Sequence, residues 1–172
     1  MSAPAIKSLD KLTSFSQEID ALELLRKRRR SRVKKYPSVS VLVSTVRPDD
    51  LTNLLQQLCA QSLPSFELQL GLHAIKVNAS HKKLIRALEK RKVSVNIYSF
   101  GQEKNLGTIL SSLAQSSTGE FIAKMDDDDY YGPEHLRDLL DAALDTGADV
   151  VGRAMNYVYL EPLQLTVRRF SP

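Results

Sequence analysis

The pattern that most restricts this chain begins at Ser38, where short β-branched runs start to alternate with helical stripes of leucine. Ser38-Val39-Ser40-Val41-Leu42-Val43-Ser44 has the composition of a buried parallel strand. Pro48-Asp49-Asp50 then reads as a turn and N-cap, and Leu51, Leu54, Leu55 and Leu58 recur at helical spacing. Further strands are predicted over 66–75, 93–100 and 120–125, separated by helices over 81–91 and from Asn105 to about Ser116. Gly132-Pro133-Glu134 is expected to start a fourth helix, with Leu136, Leu139, Leu140, Ala143 and Leu144 on one face and Gly147 as its C′ residue. The last strand candidates are 148–152, 155–160 and 165–170. Such alternation with short connections predicts a doubly wound α/β domain with a mostly parallel sheet.

Residues 1–36 break that pattern and are read as a separate arm, with the domain itself over 37–172. Leu9, Leu12, Ile19, Leu22 and Leu25 suggest an amphipathic helix that leads into the basic tail Arg26-Lys27-Arg28-Arg29-Arg30-Ser31-Arg32. The arm holds ten Lys/Arg and four Asp/Glu, whereas 120–149 hold two and ten, so the net charge of +4 hides two oppositely charged regions. An arm of this kind is read as a solvated helix packed on the domain or on a missing neighbour, or as one drawn to an anionic membrane face. It lacks the interleaved aromatics and readout motifs of nucleic-acid binders, which argues against that partner class. No apolar run approaches bilayer-spanning length and the N-terminus lacks a signal h-region, so the expected compartment is the cytoplasm, including the inner face of the membrane. A single cysteine, Cys59, excludes an intramolecular disulfide and a multi-thiolate metal site, and its place beside Leu54, Leu55 and Leu58 marks it as core.

The chemistry is concentrated in Asp126-Asp127-Asp128-Asp129, which follow the apolar strand Phe121-Ile122-Ala123 directly. In open parallel sheets, ligands bind outside the carboxyl ends of the strands. Adjacent carboxylates repel one another, and a divalent cation relieves that repulsion. Oxygen-only donors suit Mg²⁺ or Mn²⁺, which bind through one or two carboxylates together with substrate phosphates. A calcium-loop reading of Asp127 to Asp138 fails, because Tyr131 stands at a ligand position and a strand precedes the run. An acidic N-cap cluster would account for one or two aspartates, not four.

These residues resemble glycosyltransferase family 2. Val39 to Pro48 is similar to that family's opening strand. Asn105-Leu106-Gly107 and then Thr118-Gly119-Glu120-Phe121-Ile122-Ala123-Lys124-Met125-Asp126-Asp127-Asp128-Asp129 resemble its helix, strand and Asp-x-Asp signature, and Tyr130-Tyr131-Gly132-Pro133-Glu134-His135-Leu136 continues the likeness. The resemblance covers about residues 38–160 and implies a GT-A fold. It also implies a metal-dependent transfer, with inversion, of sugar from a nucleoside-diphosphate sugar to a glycan or lipid-linked acceptor in polysaccharide synthesis. On this basis Thr45, Arg47, Asn105, Asp126 and Asp127 would border the donor, and Asp126 and Asp128 would hold Mg²⁺ or Mn²⁺. Lys124, Tyr130, Tyr131 and Arg153 would be neighbours of the pocket.

The sequence departs from the family where Leu72-His73 replace acidic residues at the second strand's end and Ser112-Leu113 replace an Arg-Asn pair. The family's acceptor half, with its general base, is expected to lie outside this chain; Asp138, Asp141 and Asp145 read as a solvated helix face, and Glu161 beside Pro162 as a loop. Three other readings stand beside the transferase. One is a non-catalytic or partner-dependent nucleotide-sugar-binding module. Another is a nucleotidyltransferase, disfavoured because residues 45–50 lack the glycines of a triphosphate loop. The last is an interaction protein acting through the arm.

Overall fold

In the computed structural model, residues 15–153 and 157–168 are described. Their contacts divide into two compact units, one over Val33–Asp138 and one joining the first helix to the chain from Leu139 onward.

The first unit holds four strands, β1 (Val39–Thr45), β2 (Glu67–His73), β3 (Ser94–Phe100) and β4 (Phe121–Lys124). They form one sheet in the order β3-β2-β1-β4, with every neighbouring pair parallel. Parallel strands need crossovers, supplied by α2 (Pro48–Ala60), α3 (Ala79–Lys90) and α4 (Leu106–Gln115). Right-handed crossovers place α2 and α3 on one face and α4 on the other, because the chain reverses its direction across the sheet after β3. Leu51, Leu54, Leu55 and Leu58 of α2 are fully buried, as are Val41 and Val43 of β1. On the opposite face Ile109 and Leu113 pack with Leu42, flanked by Tyr98 and Phe100. Gly71 permits that approach: a Cβ there would lie 2.9 Å from Ile109 Cγ2 and 3.2 Å from Leu113 Cδ1.

Local chemistry explains the helix boundaries. Asn78 caps α3 in a reciprocal box with His81, whose ring is fully buried against the Pro48 carbonyl and the Thr52 hydroxyl. Pro48 opens α2 itself, and the preceding Arg47 makes no side-chain cap; Asp49 and Asp50 therefore sit in the first turn, where the helix dipole favours them. Residues 132–134 do not begin the next helix, which is α5 (His135–Thr146). The Gly132 and Pro133 carbonyls accept from the Gln61 side chain at 3.0 Å and from the Ser62 amide at 2.7 Å, which holds the segment as a turn.

The second unit contains α1 (Phe15–Arg30), the part of α5 from Leu139, and an antiparallel pair, β5 (Tyr157–Leu160) and β6 (Leu165–Arg168), joined by a 3₁₀ turn. The basic residues expected to form a tail instead make the last turn of α1, where cations complement the helix dipole. Of the expected apolar stripe, Ile19 and Leu22 are exposed and Leu25 is half-buried, so it is not a buried face; Leu9 and Leu12 lie outside the described residues. The acidic face of α5 is corrected as well. Asp141 is buried and bonded to Arg30 Nε at 3.0 Å, Asp145 is held by Arg32 at 2.7 Å, and Asp138 is buried. Opposite charges on α1 and α5 thus replace the expected solvation. Gly147 ends α5 with φ of 67° as expected. The strand expected over 148–152 is absent, with Val150 fully exposed, and β5 and β6 pair with one another rather than extending the parallel sheet.

Candidate functional site

The sheet reverses its order at β1, which pairs with β2 on one side and β4 on the other. A crevice outside the carboxyl ends of the strands is expected at such a point. Thr45 ends β1 there, and the backbone leaving β4 extends one more residue, with the Met125 amide donating to the Leu42 carbonyl at 3.0 Å. Met125 is buried, so Asp126 is the first residue free of the sheet.

The acidic run alternates. Asp127 turns inward and is buried, whereas the Asp126 and Asp128 side chains are about half exposed, 45% and 56%. The Thr45 hydroxyl donates to Asp127 Oδ2 at 2.5 Å and itself accepts from the Arg47 amide at 3.0 Å. The Arg47 guanidinium grips both Asp127 oxygens, through Nε at 3.3 Å and through Nη2. The same guanidinium reaches Asp128 Oδ2 at 3.0 Å and Asp50 Oδ2 at 2.9 Å. Burial alone would push the Asp127 carboxyl up, but the hydrogen bonds from Arg47 and Thr45 outweigh it and hold the group below its ordinary value. Arg47 is raised in turn, chiefly by its bond to Asp127. Asp126 pairs with Lys124 Nζ at 2.5 and 2.6 Å.

Tyr131 folds back over the run. Its hydroxyl accepts from the Asp126 amide at 2.7 Å, and its own amide donates to Gln57 Oε1 at 2.5 Å. Burial above all pushes the phenol up to about 12; the Asp126 amide opposes it, and the neighbouring Asp129 and Asp126 charges add to it. Between α2 and this loop lies an open cavity of about 470 Å³, lined chiefly by Asp50, Asn53, Gln56, Gln57, Asp128 and Tyr130.

The structure therefore brings Thr45, Arg47, Asp127 and Asp128 into one network, with Asp126 beside it. Asn105 stands apart from that network: its side chain caps α4, accepting from the Thr108 amide at 2.8 Å. His73 lies 3.5 Å from the Gln102 carbonyl, and Ser112 bonds back to its own helix. Arg153 belongs to the other unit. Sequence reading missed Asp50, Gln57 and Gln61. Gln57 and Gln61 are one helical turn apart beside the leucine stripe, which is the signal that could have found them. Among the described residues, no three His, Cys, Asp or Glu side chains converge as a metal cluster. The exposed pair Asp126 and Asp128 nonetheless fits Mg²⁺ or Mn²⁺, which take one or two carboxylates and complete their coordination with phosphate and water.

Solved structures share this fold. Residues 1–349 of TarS from S. aureus match with a TM-score of 0.55 and 22% identity, over 69% of this chain and 38% of that one. The complex of the same protein with UDP-GlcNAc matches with a TM-score of 0.53 and 22% identity, over 69% of this chain and 36% of that one. The mannosyltransferase PcManGT from Pyrobaculum calidifontis, in complex with GDP-Man and Mn²⁺, matches with a TM-score of 0.51 and 19% identity, over 78% of this chain and 42% of that one. The chain thus spans well under half the length of these structures. No curated protein matches the sequence. No helix among the described residues is long and apolar enough to cross a membrane. The profile of glycosyl transferase family 2 matches residues 40–169, across the sheet and the acidic run. With its parallel sheet in the GT-A arrangement, the chain belongs to glycosyl transferase family 2.

Proposed function

We propose that this chain binds the donor of a sugar transfer, a nucleoside-diphosphate sugar held together with Mg²⁺ or Mn²⁺. The observation that carries this reading is the position of Asp126–Asp129 at the point where the strand order reverses, joined to Thr45 and Arg47 at the end of β1. Thr45, Arg47, Asp126 and Asp127 border the donor, and Asp126 and Asp128 offer the metal their exposed oxygens. Thr45 and Arg47 keep Asp127 ionised and fix the backbone between the two metal-facing carboxylates. When bound, the ion supplies Lewis-acid stabilisation of the charge that builds on the departing nucleoside diphosphate. TarS with UDP-GlcNAc and PcManGT with GDP-Man and Mn²⁺ support a donor of this class.

The acceptor in this reading is a glycan or lipid-linked saccharide, and its hydroxyl attacks with inversion after losing a proton to a base. No residue of this chain is assigned as that base. The exposed Lys27 and Arg28 of α1 suit a peripheral position at the inner face of a membrane, where each basic side chain near anionic lipid contributes attraction.

Calorimetric titration of a panel of nucleoside-diphosphate sugars, with and without Mn²⁺, tests the donor site in the wild type and in Asp128→Ala. Metal-dependent binding lost in Asp128→Ala is the expected result. A folded wild type that binds no member of the panel would overturn the donor site and favour a module that needs a partner chain.

A further inference from the structure

Part of the negative charge of the acidic run is already met by the chain's own cations. Lys124 holds Asp126, and Arg47 holds Asp127, Asp128 and, through Nε, Asp50. The three contacts of Arg47 are not equivalent. Asp127 is buried and meets two nitrogens of one guanidinium edge, Nη2 at one oxygen and Nε at the other, with Nε shared with Asp50. Asp128 is more than half exposed and is touched by Nη2 alone. Arg47 is therefore anchored on Asp127 and only leans on Asp128.

We infer that Arg47 is a built-in counter-cation that competes with the divalent metal for Asp128 and is released from it when a diphosphate arrives. This rests on the donor-site reading above and adds to it an order of binding. A metal ion entering alone must share or displace a positive group 3.0 Å from one Asp128 oxygen, and it brings Arg47 no other anion in return. A nucleoside diphosphate brings anionic oxygens suited to a guanidinium fork, so Arg47 can leave Asp128 while keeping Asp127. Metal and nucleotide then favour each other's binding by more than their direct attraction, and the effect is reciprocal.

The test is the affinity for Mn²⁺ alone, read from the electron paramagnetic resonance signal of free Mn²⁺. It is measured in the full chain of the wild type, Arg47→Gln, Arg47→Lys and Asp128→Asn, then repeated with saturating UDP and with GDP. Arg47→Gln should bind Mn²⁺ alone about two- to five-fold more tightly than wild type, the scale of a partly exposed ion pair. The same variant should lose part of the gain that nucleotide confers. Arg47→Lys, which keeps the charge and guards against misfolding of the neutral variant, should stay near wild type. Mn²⁺ binding that needs Asp128 but is equal or weaker in Arg47→Gln would overturn the inference and leave the donor site standing. Equal tightening in Arg47→Lys would also overturn it, since charge would not be the cause. Absence of Mn²⁺ binding in every protein, with either nucleotide, would overturn the donor site and the inference together.

Discussion

Thr45 and Asp127 meet where the sheet reverses its order, the threonine hydroxyl donating to the buried carboxylate at 2.5 Å. The bond ties the end of β1 to the loop after β4, adding a side-chain contact to the backbone pairing of the two strands. Asp127 is fixed by Thr45 and Arg47 together, and this frees the residues on either side of it to face outward.

Removing the threonine donor should be felt as stability. Thr45→Val keeps the shape but leaves the Asp127 oxygen short of one hydrogen bond, a loss of about 2 kcal/mol for a charged acceptor. Urea unfolding measures it. The acid limb gives an independent check, because the folded Asp127 carboxyl lies below its ordinary value. A lowered value contributes stability that is present above the ordinary aspartate pKa of about 3.9 and is lost as pH falls through the folded value. The stability advantage of wild type over Asp127→Asn should therefore be full at pH 7 and shrink below about pH 4. A difference constant across that range would contradict the hydrogen-bonded carboxylate.

Gly119 should tolerate no side chain. A Cβ there would lie 2.5 Å from the Ser40 amide nitrogen and 2.8 Å from the Val39 carbonyl carbon, both backbone atoms of β1. Flexible side-chain tips can yield, but a strand cannot without loosening its pairing with β4. Gly119→Ala is expected to cost about 3 kcal/mol or more in urea unfolding. Gly147→Ala has open space around it and a φ of 67°, so it should cost only about 1 kcal/mol.

The ion pairs made by Asp141 and by Asp145 should differ in strength. Asp141 is 1% exposed against Arg30, whereas Arg32, the partner of Asp145, is 58% exposed. Asp141→Ala leaves a half-buried guanidinium with one carboxylate fewer and should cost about 2 kcal/mol. Asp145→Ala should cost about 0–1 kcal/mol, a difference that fades in high salt. Thermal melts of both variants at low and high ionic strength make the comparison.

The parallel sheet and its acidic corner were legible because both leave local marks. Buried parallel strands read as apolar runs such as Val41 to Val43, and Asp126–Asp129 stand directly after one of them. Relationships between distant residues left no such mark. Arg47 stands in the segment that resembles the family's opening strand, but nothing in the sequence announces its grip on Asp127, 80 positions away. Gln61 looks like a solvated helix residue yet is buried, with its amide spent on Gly132 and Leu136. Asp141 misled for the same reason: a carboxylate on a helix is solvated by default, and only the approach of Arg30 makes it core. The antiparallel pairing of β5 with β6 was hidden too, since a short apolar run does not say which strand it will join.

The Tyr131 hydroxyl accepts from the Asp126 amide at 2.7 Å and lies 3.4 Å from Asp129 Oδ2. Tyr131→Phe removes that acceptor but keeps the ring that packs 4.6 Å from His135. The loop should stay folded while Asp126 loses its fixed backbone position. If Asp126 faces the metal as proposed, Mn²⁺-dependent donor affinity should fall about ten-fold, the scale of one lost positioning hydrogen bond. Alkaline titration supplies a check that does not depend on the donor. Tyr131 is pushed up to about 12, so its neutral form is favoured in the fold. That contribution to stability is full below the ordinary tyrosine value of about 10 and is lost as pH rises through the folded value. Phenolate absorbance should show a late step in wild type, one of six tyrosines, that is missing from Tyr131→Phe. If the late step vanishes while donor affinity is unchanged, Tyr131 is confined to a structural role and Asp126 does not rely on it.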